Sequence, residues 1–398
     1  MSEKLILAYS GGLDTTIAIR WLQENYDVEV IAVLINLGQP DNLKDAYDRA
    51  LDTGASKAYI IDARDEFVKD YIYPSLMANA RYEKKYTLAT AIARPLIAKI
   101  LVDFAEKENA SMIAHGCTAK GNDQVRFDVG IRSLNPDIKI IAPMRLWKLS
   151  REEEIEYAKK NNIKINVTKK SIYSIDENLW GRSIECGNLE DPWAEPLEEI
   201  YKWSKINKDE KDSEYIEIGF EKGVPVTINN NKLNPVDLIV ELNRIAGPYG
   251  IGRMDMVENR LIGIKSREIY EAPAAEILLE SHKQLESLVL DRELTHYKYM
   301  IEDKISEMIY YGLWFTPLMS CLMKFVFESQ GYISGTVRIK LAYKSFNVVG
   351  RKSEYSMYDY SLATYDKNDM FDPKFSESFI KIWGYPYEIL ARKGRKNG

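Results

Sequence analysis

The chain is poor in the residues that build cross-linked or metal-centred scaffolds, with three cysteines and three histidines among 398 residues. Cys117, Cys186 and Cys321 are far apart and odd in number, which argues against a disulfide framework or a Cys-x-x-Cys metal site and leaves reduced thiols. His115, His282 and His296 share no metal-ligand spacing, so packing and hydrogen bonding are their expected roles. No apolar run approaches the roughly 20 residues of a membrane span. Met1-Ser2-Glu3-Lys4 leads straight into a short apolar strand with no signal peptide, so the expected location is the cytoplasm. A basic balance is missing as well: the formal net charge of −6 argues against a general nucleic-acid surface. No internal repeat is visible. Hydrophobic residues make up 45% of the chain, enough for a large core, and a prior of about 150 residues per domain suggests two.

What is present starts with Leu5-Ile6-Leu7-Ala8-Tyr9-Ser10-Gly11-Gly12-Leu13-Asp14-Thr15-Thr16, an apolar strand that breaks into a glycine turn and resumes as an amphipathic helix. Two glycines allow a sharp turn and close approach to a ligand, and Ser10, Asp14, Thr15 and Thr16 are types that cap a helix start. Exposed N–H groups and the positive helix end then face one point, which suits phosphate. The loop has no lysine for a Walker-type site and lacks the three spaced glycines of the dinucleotide fingerprint. It resembles instead the pyrophosphate-loop signature Ser-Gly-Gly-x-Asp-Ser/Thr, which in that superfamily holds the β and γ phosphates of ATP as a departing unit. The resemblance implies adenylation.

Through about residue 165, short apolar strands alternate with helices as in a parallel sheet. Strands are expected at 28–37, 58–61, 111–114 and 138–141, with helices at 43–52, ended by Gly54, and 88–108, which contains Pro95. Ligands collect at the carboxyl ends of such strands, so Ser10, Asn36 to Gln39 and His115-Gly116 share one rim. Residues 171–196 read as a polar connection. Beyond it come a hairpin (215–220 and 224–228), a helix at 235–246, an extended segment at 254–264, helical patterns across 274–311, and strands near 332–343 and 346–349. The tail carries Phe371, Phe375, Phe379, Ile382 and Trp383, apolar residues suited to another subunit, before a basic terminus expected to be solvated.

A second dense cluster, His115 to Phe127, packs donors, acceptors and both charges into a glycine-bearing turn at a strand end. Arg126 offers a planar fork for a carboxylate, Asp123 suits an ammonium, and Thr118 and Asn122 can bond either polar end of an amino acid. Amino-acid substrates are the class implied.

With these two motifs, Asp176-Glu177-Asn178-Leu179-Trp180, Val257-Glu258-Asn259-Arg260 and Ser266-Arg267-Glu268-Ile269-Tyr270-Glu271 resemble the argininosuccinate synthase family, in order, from about residue 4 to 275 and more weakly to the end. The resemblance implies an α/β fold: a parallel-sheet, Rossmann-like adenine-nucleotide-binding domain of the pyrophosphate-loop kind over 1–168, an α+β synthetase and multimerisation domain over 169–360, and a C-terminal helical oligomerisation tail over 361–398. It implies that ATP adenylates the ureido oxygen of L-citrulline, pyrophosphate leaves, and the amine of L-aspartate displaces AMP to give argininosuccinate. By similarity Ala8, Tyr9, Ser10, Gly11, Gly12, Leu13, Asp14, Thr15, Thr16, Ile35 and Gly116 bind ATP; Thr118, Asn122 and Asp123 bind aspartate; Tyr86, Asn122, Arg126, Ser174, Ser183, Glu258 and Tyr270 bind citrulline. Asp14, Asp123 and Lys120 are the catalytic candidates. Magnesium is expected with the nucleotide, and a homotetramer is expected, with neither nucleic acid nor membrane as partner.

Departures from the family pattern are Ala119 for glycine, Ala91 for a citrulline-contacting serine whose contact is then absent or made by Thr90, Asp128 for glutamate and Glu268 for glycine. A relative acting on tRNA needs a basic surface, and the sulfur-inserting ones often carry paired cysteines. A glutamine-dependent synthetase needs a second Cys-His site. An ATP sensor has no use for Thr118 to Arg126, Glu258 or Tyr270.

Overall fold

The computed structural model describes residues 2–40, 42–118, 121–147, 151–164, 172–209, 211–367 and 369–394. Ala119 and Lys120 lie outside them, as does the expected boundary between the first two domains.

The first apolar run forms β1 (Glu3–Ala8), and the helix after the glycine turn is α1 (Leu13–Tyr26). Then come β2 (Val28–Asn36), α2 (Leu43–Thr53), β3 (Lys57–Asp62), the helix Ala89–Glu108, β4 (Met112–His115), the helix Asp123–Leu134 and β5 (Lys139–Ile141). The strands make a parallel sheet in the order β3-β2-β1-β4-β5. Both faces of β1 are covered. Leu5 and Leu7 pack into a core with Ile17, Ile19 and Leu22 of α1, while Ile6 joins a second core with Ile92, Leu96 and Leu101 of the 89–108 helix. This is why β1 and β2 read as continuous apolar runs rather than alternating ones. The strand order reverses at β1, which leads to β2 on one side and pairs with β4 on the other, the kind of switch point at which open parallel sheets take ligands. Asn42 caps α2 through its side-chain oxygen, and Gly54, at φ +112°, closes it. The 89–108 helix runs unbroken through Pro95.

The stretch expected to be a polar connection is instead a hairpin, β6 (Ser174–Asn178) and β7 (Gly181–Glu185). Its polar sequence hid it because Asp176 pairs with Arg94 and Ser183 meets Thr90 instead of joining an apolar core. A five-stranded antiparallel sheet follows from β8 (Ser213–Glu221), β9 (Val224–Ile228), β10 (Asn231–Lys232), β13 (Gly335–Ala342) and β14 (Ser345–Lys352), in the order β10-β9-β8-β13-β14. The expected extended segment 254–264 ends early: β11 (Arg253–Asn259) turns back through Arg260–Ile264 into β12 (Lys265–Glu271), and Arg260 N–H donates to the Ile264 carbonyl at 2.9 Å. These strands form the sheet β11-β12-β7-β6.

The helical region divides into Pro273–Val289 and Arg292–Tyr310, with Asp291 capping the second through bonds from Glu293 N and Leu294 N. The helix Pro235–Ala246 falls where its pattern put it. A further helix, Pro317–Ser329, was not foreseen from the sequence. Residues 1–355 form one compact unit and 356–398 a second, whose main element is the helix Pro373–Arg392. No helix among the described residues is long and apolar enough to cross a membrane.

Candidate active site

Between β1 and α1 the chain leaves an uncapped helix start. Gly12 is the N-cap residue, with extended backbone and no side-chain cap. The residues expected to cap do something else. Thr15 and Thr16 hydroxyls donate back to the Gly12 carbonyl at 3.3 and 2.7 Å, and Ser10 Oγ lies 3.1 Å from Thr15 Oγ1 while accepting from Gly12 N at 3.3 Å. Thr15 and Thr16 follow the cap by three and four residues, where a hydroxyl reaches a carbonyl more readily than a free N–H. Tyr9 is buried and its hydroxyl meets Thr16 Oγ1 at 2.9 Å. Gly11 adopts φ +79°, and a Cβ there would sit 2.6 Å from Ala46 Cβ of α2. Leu13 and Asp14 open the helix, and Ile35 lies half-buried near the end of β2. Gly116 comes so close to this loop that a Cβ on it would lie 2.7 Å from Thr15 Cγ2. The ATP-binding candidates therefore converge at the ends of β1, β2 and β4.

The amino-acid candidates form a second group, joined by hydrogen bonds. Asp123, at the start of its helix, accepts from Arg94 Nη2 at 2.7 Å and from Arg126 Nη1 at 2.8 Å. Arg94 also pairs with Asp176 of β6, tying the first domain to the hairpin. Burial disfavours the Asp123 charge, but the two guanidiniums outweigh it and hold the carboxyl well below the usual carboxylate range. Arg126, read as a fork for a substrate carboxylate, thus gives one arm to Asp123, and its Nε donates to the Tyr310 carbonyl at 2.8 Å.

Tyr310 escaped the sequence reading. Its hydroxyl donates to Glu258 Oε1 at 2.5 Å and accepts from Asn122 Nδ2 at 2.8 Å. The Arg126 guanidinium lies 4.7 Å from its ring centroid, and Tyr82 stacks on it at 3.6 Å. The available signal was Tyr310-Tyr311-Gly312 at the end of a helical pattern. Gly312, at φ +76°, makes a turn so tight against the 123–134 helix that a Cβ would lie 2.7 Å from Arg126 Cα.

Glu258 also accepts from the Tyr270 hydroxyl at 2.7 Å, and Tyr270 stacks on Tyr86 at 4.1 Å. Burial raises the Glu258 pKa, with the two tyrosine hydroxyls pulling the other way. Thr90 N donates to the Tyr86 hydroxyl at 3.0 Å, and Thr90 Oγ1 reaches Ser183 Oγ at 3.4 Å, while Ala91 is wholly buried in the core. The turn after β11 closes the group, Leu261 N donating to Asn122 Oδ1 at 2.9 Å. Tyr86, Asn122, Asp123, Arg126, Ser183, Glu258 and Tyr270 are therefore brought together. Ser174 and Thr118 are exposed and lie outside this network among the described residues.

Glu268, beside the site on β12, accepts from Arg260 Nη2 at 2.7 Å and Ser266 Oγ at 3.0 Å. Burial, then the charges of Glu185 and Glu258, push its carboxyl up to about 8. His115 is buried behind the rim, its Nε2 2.9 Å from Asp128 Oδ1 and its Nδ1 accepting from Cys117 N at 3.3 Å, an orienting role rather than one in the cleft.

A family model described as the arginosuccinate synthase N-terminal HUP domain matches residues 4–164, and one described as the arginosuccinate synthase C-terminal domain matches 173–390. An argininosuccinate synthase of Dictyoglomus turgidum is 56% identical over 395 residues, covering 99% of both chains. One of Dehalococcoides mccartyi is 54% identical, covering 98% of this chain and 97% of its own. One of Synechocystis is 52% identical, covering 99% of both.

Proposed function

The chain belongs to the argininosuccinate synthase family, and from that premise we propose how its residues carry out the ATP-dependent ligation of citrulline to aspartate in arginine biosynthesis. The observation that carries the reading is the adjacency of an uncapped helix N-terminus to a buried, two-signed polar network spanning both halves of the 1–355 unit.

A ureido carbon is a poor electrophile because its nitrogens donate into it. Transfer of AMP to the ureido oxygen, with loss of pyrophosphate, converts that oxygen into a leaving group. The aspartate amine then attacks the carbon of citrullyl-AMP, and the C–O bond to AMP breaks. The N–H groups from Gly11 to Thr15 bind the pyrophosphate unit, with the Thr16 N–H already given to the Gly12 carbonyl and the positive end of α1 favouring the charge. Gly116 and Ile35 border the nucleotide, and Thr118, Asn122 and Asp123 hold aspartate. Tyr86, Asn122, Arg126, Ser174, Ser183, Glu258 and Tyr270 hold citrulline: Arg126 takes its carboxylate and Glu258, presented by Tyr270 and Tyr310, its ammonium.

Asp123 orients the incoming amine by its charge. Held as a carboxylate by two arginines, it is too weak a base to take the proton at neutral pH, so its catalytic part is positioning. Holding two reactants in register can contribute about 7–11 kcal/mol. Asp14, in the first turn of α1, and Ser10 are hard oxygen donors that would help hold a cation brought in with ATP. Magnesium bound with ATP supplies partial neutralisation of the departing pyrophosphate. Lys120 is assigned a supporting role on phosphate charge. The enzyme acts in the cytoplasm as a homotetramer.

Pyrophosphate release from magnesium-ATP, with citrulline and aspartate omitted in turn, tests the scheme. Release should need citrulline, and argininosuccinate should appear only when aspartate is added. ATP binding with no release under any combination would overturn it.

A further inference from the structure

We propose that Arg49 is a positioning residue for the pyrophosphate loop, holding the Gly11 carbonyl from behind so that the loop's N–H donors face the phosphates. The proposal rests on the reading of the loop given above. Arg49 lies on α2, half-buried, and its Nη1 donates to the Gly11 carbonyl at 2.5 Å. In a trans peptide the C=O and the following N–H point in opposite directions. Drawing the Gly11 carbonyl toward α2 therefore turns the Gly12 N–H the other way, where its only protein acceptor among the described residues is Ser10 Oγ at a long 3.3 Å.

The next carbonyl is restrained in the same sense. Gly12 C=O accepts from Thr16 N at 3.0 Å as well as from both threonine hydroxyls. Two consecutive carbonyls are thus turned away from the ligand side. The Gly12 carbonyl is held by α1 itself, whereas the Gly11 carbonyl depends on a different element.

That dependence matters because Gly11 sits at φ +79° next to a second glycine, where no side chain opposes rotation of the peptide. Freed from Arg49, the Gly11 carbonyl can swing toward the site and set its negative end against the phosphates. Ala46 and Arg49, three residues apart on one face of α2, form the seat: a Cβ on Gly11 would lie 2.6 Å from Ala46 Cβ and 3.6 Å from Arg49 Nη1. Thr53 Oγ1 donates to the Arg49 carbonyl at 2.7 Å, anchoring the last turn of the helix. The guanidinium also lies near the Tyr9 phenol, whose pKa burial raises and Arg49 lowers, so the cation sits beneath the loop without needing to touch phosphate.

Steady-state constants and calorimetric binding of magnesium-ATP, measured on the full-length wild type, R49M and R49K, test the proposal. R49M should weaken ATP binding and pyrophosphate product inhibition by about tenfold, the usual scale of a hydrogen bond from a charged group. The KM values for citrulline and aspartate should stay within about twofold of wild type. R49K, which keeps a charged donor, should recover most of the loss. Unchanged ATP and pyrophosphate constants in folded R49M would overturn the proposal, as would a parallel rise in all four constants, the mark of a general structural defect. If R49M does not fold, R49K decides, and it must then show a smaller shift confined to the two phosphate ligands. Wild type that binds ATP yet releases no pyrophosphate would count against the ligase scheme alone, because the calorimetric comparison of the variants still tests Arg49.

Discussion

At the scale of single residues the site works by setting like groups apart. Asp123 and Glu268 are both carboxylates beside the cleft, yet paired arginines hold one ionised while burial among Glu185 and Glu258 keeps the other protonated to about pH 8. Glu268 has a stability consequence whose sign is fixed by linkage. Its ordinary value is 4.5, so between about pH 4.5 and 8 the native state holds a proton that the unfolded chain has released, and stability falls as pH rises through that window. In E268Q no proton is held there, so its thermal midpoint between about pH 5 and 8 should decline less steeply than that of wild type. Parallel pH profiles would show that Glu268 ionises normally in the fold. The motif containing Glu268 was legible in the sequence, but its neighbours across the sheet were not. Tyr310 was illegible for the same reason, since a tyrosine on an amphipathic helix reads as core until the helix end is seen pressed against Arg126.

At the scale of elements, the proposed nucleotide side of the site depends on loops meeting at the ends of β1 and β4. Gly116 is the contact point, and G116A places a methyl carbon 2.7 Å from Thr15 Cγ2 unless one loop moves. Overpacking of this kind costs about 1–3 kcal/mol. G116A should therefore raise the KM for ATP at least fivefold while leaving the KM for citrulline nearly unchanged, as initial rates would show. An unaltered ATP constant would mean the loops separate freely. The parallel-sheet elements were readable because β1, β2 and β4 are buried on both faces and their sequences say so without alternation. β6, β7 and β12 were not, because Asp176, Ser183, Glu268 and Tyr270 make polar contacts with other elements and spoil the period-two pattern by which strands are recognised.

At the scale of the whole molecule, the unit 356–398 carries a surplus of exposed apolar surface. On the helix Pro373–Arg392, Phe375, Phe379, Ile382 and Trp383 are all exposed, with the Phe379 and Trp383 rings stacked at 5.7 Å. A contiguous apolar face of this kind is a subunit-docking surface in our reading. Deleting residues from Phe371 onward should lower the solution mass measured by light scattering, and an unchanged mass would remove the tail from assembly. The sequence by itself determined the α/β class of the first domain, the glycine turn before α1 and the order of the motifs, because each is written locally in glycine placement, helix starts and runs of buried strand. The tertiary structure alone decided that Arg49 backs the Gly11 carbonyl, that Tyr310 presents Glu258, and that Arg94 joins Asp123 to Asp176. Each of those pairs residues from separate elements, and no local pattern of hydrophobicity or turn chemistry records which distant side chain will arrive.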